Sequence, residues 1–66
     1  MNLPELGRWY KHKKTGKVYR VEYITNQNAS IFRKEEYPTT VVYSSDDTDV
    51  WSRTIDNWVG KFTPID

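Results

Sequence analysis

Basic and aromatic side chains alternate through residues 8–20, on both sides of a Thr-Gly turn, which makes this stretch the first candidate for ligand binding. Lysine and arginine attract backbone phosphates, and exposed rings stack on nucleobases at roughly 1–3 kcal/mol each. If Trp9, Tyr10 and Trp51 line a groove beside the lysines, single-stranded nucleic acid is a reasonable ligand. Aromatic grooves also bind peptides, and a plain β-hairpin with one buried face shows the same alternation. All three interpretations remain open at the level of the sequence.

A tryptophan and an arginine two positions apart form a second candidate for ligand contact. On a strand, Trp51 and Arg53 share one face. In one interpretation Trp51 is buried and Arg53 pairs with a carboxylate of the same chain, such as Glu22 or Asp56. In the other, Arg53 anchors a carboxylate or phosphate of a ligand. The predicted binding residues are Trp9, Tyr10, Lys11, His12, Lys13, Lys14, Tyr43, Trp51 and Arg53.

Residue types that support catalysis or metal binding do not form a recognisable set in this sequence. There is one histidine, His12, and no cysteine, whereas a metal site needs about three or four ligands at suitable spacing. Asp46, Asp47 and Asp49 lack the residue pattern of a calcium loop, and the three glycines are too scattered for a phosphate loop. We therefore expect no enzymatic activity, no metal and no cofactor.

Charge is distributed unevenly along a chain whose net charge is only +1. Residues 1–20 contain six basic side chains and one acidic, a balance of +5. Residues 35–66 contain two basic and seven acidic, a balance of −5. Such asymmetry is typical of an electrostatic binding surface, but it also arises when two halves of a chain pair in the fold.

The length and composition predict one small domain with a core made of aromatic rings. A chain of 66 residues buries only about 60% of its unfolded surface, and no disulfide is available to stabilise it. The ten aromatic side chains must therefore fill the core, and we expect two or three of them to be partly exposed. No apolar run approaches the roughly 18 residues of a membrane span and no signal segment follows Met1, so we expect a cytoplasmic protein.

Period-two alternation and turn residues predict the order of the elements. After a lead-in over residues 1–6, strands are expected over 8–13 and 17–25, with Tyr19, Val21 and Tyr23 on one face. A second hairpin covers residues 39–53, with its turn at 45–48. One helical turn follows from Thr54 to Gly60, and a last strand occupies 61–65. Residues 31–36 fit either an extended loop or a short strand.

This order predicts the fold class. The chain is expected to be all-β, a small SH3-like β-barrel of about five strands with one short 3₁₀-like turn before the last strand. Closure of the barrel would protect strand edges that are otherwise exposed.

A set of glycine, aromatic and basic motifs recurs along the chain: Gly7-Arg8-Trp9-Tyr10-Lys11-His12-Lys13, then Gly16, Tyr19 and Val21, then Val41-Val42-Tyr43, then Trp51 and Arg53. In these motifs the chain resembles a short domain of unknown function found in bacterial and phage proteins. The match covers about residues 7–62. Thr54 stands where the family usually has proline, and residues 28–37 look like an insertion. The resemblance implies a small β-barrel-like fold and no reaction.

These observations predict a non-catalytic interaction module, of phage or prophage type by resemblance. A protein is the preferred partner, because nucleic-acid-binding domains usually have a stronger basic excess. Single-stranded nucleic acid bound by the hairpin over residues 8–20 is the alternative. A self-associating structural subunit is a third possibility, because exposed aromatic rings can close a homodimer.

Overall fold

Five strands, one 3₁₀ turn and one short helix make up the part of the chain that the computed structural model describes, residues 3–45 and 49–65. The strands are β1 (Trp9–His12), β2 (Val18–Thr25), β3 (Thr40–Ser44), β4 (Val50–Thr54) and β5 (Phe62–Pro64). The helix α1 (Ile55–Trp58) directly follows β4, and the 3₁₀ turn occupies Ile31–Arg33.

The strands form one antiparallel sheet in the order β4-β3-β2-β1-β5. The expected all-β architecture, with five strands and one helical turn before the last strand, is confirmed. The expected closure into a barrel is not observed, because β4 and β5 are the two edges of the sheet and do not pair with each other in the described residues. We refer to the region between β4 and β5, where backbone pairing is missing, as the seam.

The β1–β2 hairpin has the predicted strands and turn. The turn closes at Gly16, whose φ of 75° lies in the left-handed region that favours glycine. The Gly16 backbone N–H donates to the His12 carbonyl at 2.8 Å, and Trp9 lies opposite Arg20 in the ladder. The ends of β1 and β2 are therefore held firmly next to residues 13–16.

A β-bulge in β2 overturns part of the predicted alternation. Val21 lies opposite Tyr43, but Tyr23 lies opposite Val42, so Glu22 is an extra residue in the ladder. One inserted residue moves every later side chain to the other face of the sheet. Tyr23 is consequently 66% exposed, and the prediction that it shares a face with Tyr19 and Val21 is wrong.

The core lies between the inner face of the sheet and α1. Its buried members are Tyr10, Val21, Val41, Tyr43, Ile55, Trp58 and Phe62. Trp58 stacks on Phe62 with ring centroids 3.8 Å apart, and Tyr10 meets Trp58 edge to face. Five aromatic residues are exposed, which is more than the two or three expected from the sequence: Trp9, Tyr23, Phe32, Tyr37 and Trp51.

Two segments between the strands have structures that the sequence left open. Residues 31–36 begin with the 3₁₀ turn and are not a strand, and Phe32 within it is almost fully exposed. Thr54 does precede α1, but its side chain makes no capping bond and instead accepts one from the Asn57 amide at 3.1 Å. Within the described residues, no helix has the length and apolar character needed to cross a membrane.

The two phenylalanines provide a matched test of this core. Phe62→Ala is expected to lower the free energy of unfolding by about 3–5 kcal/mol, because it removes a buried ring and leaves a cavity. Phe32→Ala is expected to change it by less than about 0.5 kcal/mol, because Phe32 is 94% exposed. Urea titration followed by circular dichroism measures both. If Phe62→Ala does not fold, Phe62→Leu should still fold with a lower midpoint, and equal midpoints for Phe62 and Phe32 variants would contradict the assigned core.

Candidate functional site

A cleft of about 350 Å³ lies at the seam between β4 and β5 and collects basic side chains from separate parts of the chain. Its lining residues are His12, Lys13, Lys14, Arg53, Gly60 and Lys61. We refer to these six residues as the cationic cleft. They come from the end of β1 and its turn, from β4, and from the segment that joins α1 to β5.

The pairing of β5 with β1 assembles the cationic cleft. His12 lies opposite Phe62 in the antiparallel ladder, and the Lys13 backbone N–H donates to the Lys61 carbonyl at 2.9 Å. Gly60, with a φ of 82°, turns the chain out of α1 toward this position. The side chains of Lys13 and Lys61 therefore leave from adjacent backbone segments, although the residues are far apart in the sequence.

Arg53 is the half-buried cation of the cleft, and its neighbours are neutral. Its Nε donates to the Tyr43 hydroxyl at 3.0 Å, and its Nη1 contacts the Asn57 carbonyl at 3.4 Å. Its guanidinium carbon lies 5.3 Å from the centre of the Phe62 ring, a cation–π distance. The alternative in which Arg53 pairs with Glu22 or Asp56 is not what the structure shows.

The positive charges of the cleft have no acidic partners in the described part of the chain. Lys13, Lys14 and Lys61 form no salt bridge with any residue in 3–45 or 49–65. The salt bridges described there join residues only two or three positions apart, such as Arg20 with Glu22. Among the described residues, none that lines the cleft has a carboxylate side chain. A bound carboxylate or phosphate would therefore meet uncompensated positive charge, which favours binding of an anion.

His12 adds a hydrogen-bond donor to this surface. Its Nδ1 accepts the Thr15 backbone N–H at 3.2 Å, and a backbone N–H can only donate. The proton of the neutral ring therefore sits on Nε2. The half-buried ring also packs edge to face on Phe62, with centroids 4.8 Å apart, which holds its orientation.

Aromatic rings lie next to Arg53 on the inner face of the sheet. Trp51, two positions earlier on β4, is 41% exposed and stacks on the buried Tyr43 with a centroid distance of 6.2 Å. Tyr19 meets the Trp51 ring edge to face at 5.6 Å. Tyr43 thus acts as a support, because it carries the Trp51 ring and also accepts the hydrogen bond from Arg53.

Three of the predicted binding residues lie elsewhere. Tyr10 is buried in the core, where its hydroxyl accepts the Glu5 backbone N–H at 2.9 Å. Trp9 and Lys11 project from the opposite face of β1, because side chains alternate along a strand. The sequence prediction missed Lys61. One feature of the sequence could have indicated Lys61. It is a basic residue immediately before the last strand, and the last strand is expected to lie beside the first.

The described residues contain no group of three or more histidine, cysteine, aspartate or glutamate side chains placed to hold a metal ion. Asp46 and Asp47, two of the three aspartates considered for a calcium loop, lie outside the residues that the structure describes.

Comparison of the chain with models of protein families, with curated proteins and with solved structures finds no match. The resemblance to the short bacterial and phage domain therefore stays a prediction from motifs.

Substitution of two tyrosines tests whether the hydrogen bond from Arg53 to the Tyr43 hydroxyl stabilises the fold. Tyr43→Phe removes the hydroxyl that accepts from Arg53 Nε and is expected to lower the free energy of unfolding by about 0.5–1.5 kcal/mol. Tyr19→Phe is the control, because the Tyr19 hydroxyl has no hydrogen-bond partner in the described residues; a change below about 0.5 kcal/mol is expected. Urea titrations of both variants give the comparison. A Tyr43→Phe protein as stable as Tyr19→Phe would show that the bond contributes nothing.

Proposed function

We propose that this chain is a non-catalytic interaction module that binds an acidic segment of a partner protein in the cationic cleft. The observation that carries the proposal is the convergence of four basic side chains on a cleft that has no carboxylate among its described lining residues. Lys13, Lys14, Lys61 and Arg53 come from three different segments, so their proximity is a product of the fold. Like charges held together are unfavourable unless a ligand neutralises them, which is typical of a binding surface.

The proposal includes a fold of the SH3-like barrel type. Two features support it: the sheet order β4-β3-β2-β1-β5, and a short helix between β4 and β5. Side chains span the seam where backbone pairing is missing, since Arg53 of β4 lies over the ring of Phe62 of β5. Such folds bind peptides in grooves lined by aromatic residues, and this analogy concerns architecture only.

A protein partner is favoured over nucleic acid by the limited aromatic surface beside the cleft. Trp51 is the exposed ring next to Arg53, whereas Tyr43 is buried and Tyr19 is half-buried. A track for single-stranded nucleic acid needs several exposed rings on which successive bases stack. The net charge of +1 also gives little attraction to a phosphate backbone beyond the cleft itself.

Single-stranded nucleic acid is the second candidate, and the exposed Trp51 ring beside Arg53 of the cationic cleft is the observation that favours it. In that case the interface differs from the hairpin over residues 8–20. Trp9 and Lys11 lie on the opposite face from His12, so a strand in the cleft would contact only part of the hairpin.

Removal of the cleft lysines tests both candidates. The variant Lys13→Ala/Lys14→Ala/Lys61→Ala is expected to bind a fluorescein-labelled peptide of ten glutamates about tenfold more weakly, because three exposed charge contacts at about 0.5 kcal/mol each are lost. Fluorescence anisotropy at an ionic strength of about 0.1 M, where the Debye length is about 10 Å, measures the dissociation constants.

The control variant removes the same charge elsewhere. Lys11→Ala/Lys17→Ala/Lys34→Ala changes three exposed lysines outside the cleft and is expected to bind the peptide within about twofold of the unmodified chain, since distant charges are screened. Equal losses in the two variants would contradict a specific cleft. Tighter binding of a ten-residue oligothymidylate than of the peptide, lost with the cleft lysines, would replace the protein partner with single-stranded nucleic acid.

A further inference from the structure

We propose that the acidic segment binds as an extended strand that adds to the free edge of β4, the edge that faces away from β3. This inference depends on the proposed function for the chemistry of its ligand. It specifies the conformation of that ligand and the backbone groups that hold it.

The hydrogen bonds at the two ends of the β3–β4 pair show which backbone groups point to the free edge. The Ile55 N–H donates to the Thr39 carbonyl at 2.8 Å, and the Ser45 N–H contacts the Asp49 carbonyl at 3.4 Å. In an antiparallel pair, hydrogen-bonded and non-hydrogen-bonded residues alternate. Counted from these two hydrogen-bonded ends, every second residue of β4 bonds to β3. The backbone N–H and C=O groups of Trp51 and Arg53 therefore point to β3.

The residues between them, Val50, Ser52 and Thr54, direct their N–H and C=O groups away from β3. Thr54 adjoins α1, and its hydroxyl is engaged by the Asn57 amide. Val50 and Ser52 are exposed, with Val50 at 62%. Two N–H and two C=O groups are thus available at this edge to a strand that approaches from solvent.

The edge of β4 carries fewer features against strand pairing than the edge of β5. Proteins protect exposed edges with proline, lysine and other charged side chains. The one charged residue of β4, Arg53, points inward, where it repels a basic strand and attracts an acidic one. The other edge strand, β5, contains Pro64 and is preceded by Lys61, whereas β4 contains neither residue type. β4 is consequently the edge that accepts a strand, and strand addition is an established way in which sheets bind peptides.

The side chains of β4 determine which peptide fits. Trp51 and Arg53 point to the inner face. The Cβ atoms of the inward residues of an added strand would therefore lie about 4.5–5.5 Å from the Cβ atoms of Trp51 and Arg53. A carboxylate next to Arg53 would also be close to the other cations of the cleft, which lie beyond Arg53 toward β5. Outward residues would lie beside Val50 and Ser52, where apolar side chains fit. The structure therefore favours a segment in which acidic and apolar residues alternate.

A second copy of the chain matches this edge less well than an acidic peptide. Pairing of β4 with β4 of another copy would satisfy the same backbone groups. However, β4 contains no carboxylate and one arginine, so each copy would bring a further positive charge to the seam. The charge of the cleft would remain uncompensated.

The test uses three fluorescein-labelled peptides with the sequence Glu-Val-Glu-Val-Glu-Val-Glu-Val-Glu. One is unmodified, one is N-methylated at the valines and one at the internal glutamates. Alternate N–H groups of a strand point to opposite edges, so only one of the two methylated sets can face β4. One methylated peptide should bind about tenfold more weakly, from the loss of about two hydrogen bonds, and the other should bind like the unmodified peptide.

Amide hydrogen exchange of the protein supplies the second readout. The unmodified peptide should slow exchange of the Val50 and Ser52 amides about tenfold or more. The Trp51 and Arg53 amides, already bonded to β3, should change little.

The outcomes separate the two proposals. Absence of binding by the unmodified peptide would overturn the proposed function. Binding that is unaffected by either methylated set, or affected equally by both, would overturn strand addition alone. Concentration-dependent protection of Val50 and Ser52 without peptide, with a dimer by light scattering, would assign this edge to a second copy. Protection by oligothymidylate at Lys13 and Lys61 without protection of the β4 edge would also overturn the inference.

Discussion

The stack of Trp58 on Phe62 is the contact on which the arrangement of the chain depends. The rings are parallel within 3° and their centroids are 3.8 Å apart, so α1 and β5 are joined at the centre of the core. Because the domain has 66 residues and no cysteine, burial of large rings supplies most of the available stabilisation. The stack also directs the last segment of the chain back toward β1. It thereby places Lys61 beside Lys13.

The same packing explains why the cleft is positively charged. Arg53 enters the seam with its guanidinium over Phe62 and its Nε on the Tyr43 hydroxyl, and these neutral partners leave its charge uncompensated. The lysines around it leave from backbone positions held by the β1–β5 ladder, so they remain together without a ligand. A core of aromatic rings therefore has two roles, since it holds the fold together and also supports a cationic surface.

The open seam connects this surface to the edge of the sheet. A closed barrel would have no free edges, whereas here β4 ends the sheet with exposed backbone groups next to the cleft. Five exposed aromatic residues, on both faces and in the loops, show that the domain cannot bury all its rings. Of these, Trp51 lies beside Arg53, which makes the seam the place where apolar, cationic and backbone groups meet.

Local patterns in the sequence determined the strands, the turn at Gly16 and the helical turn after Thr54. They also singled out His12, Lys13, Lys14, Trp51 and Arg53 as candidate binding residues. These features depend on period-two alternation and on the backbone preferences of nearby residues, which are readable without the fold. Only the tertiary structure decided that Lys61 joins Lys13, that Trp9 and Lys11 face away, and that the bulge at Glu22 turns Tyr23 outward. It also decided that Arg53 has neutral partners and that the sheet stays open. Each of these depends on pairing between segments distant in the chain, where a shift of one residue reverses the faces of a strand and leaves the local pattern unchanged.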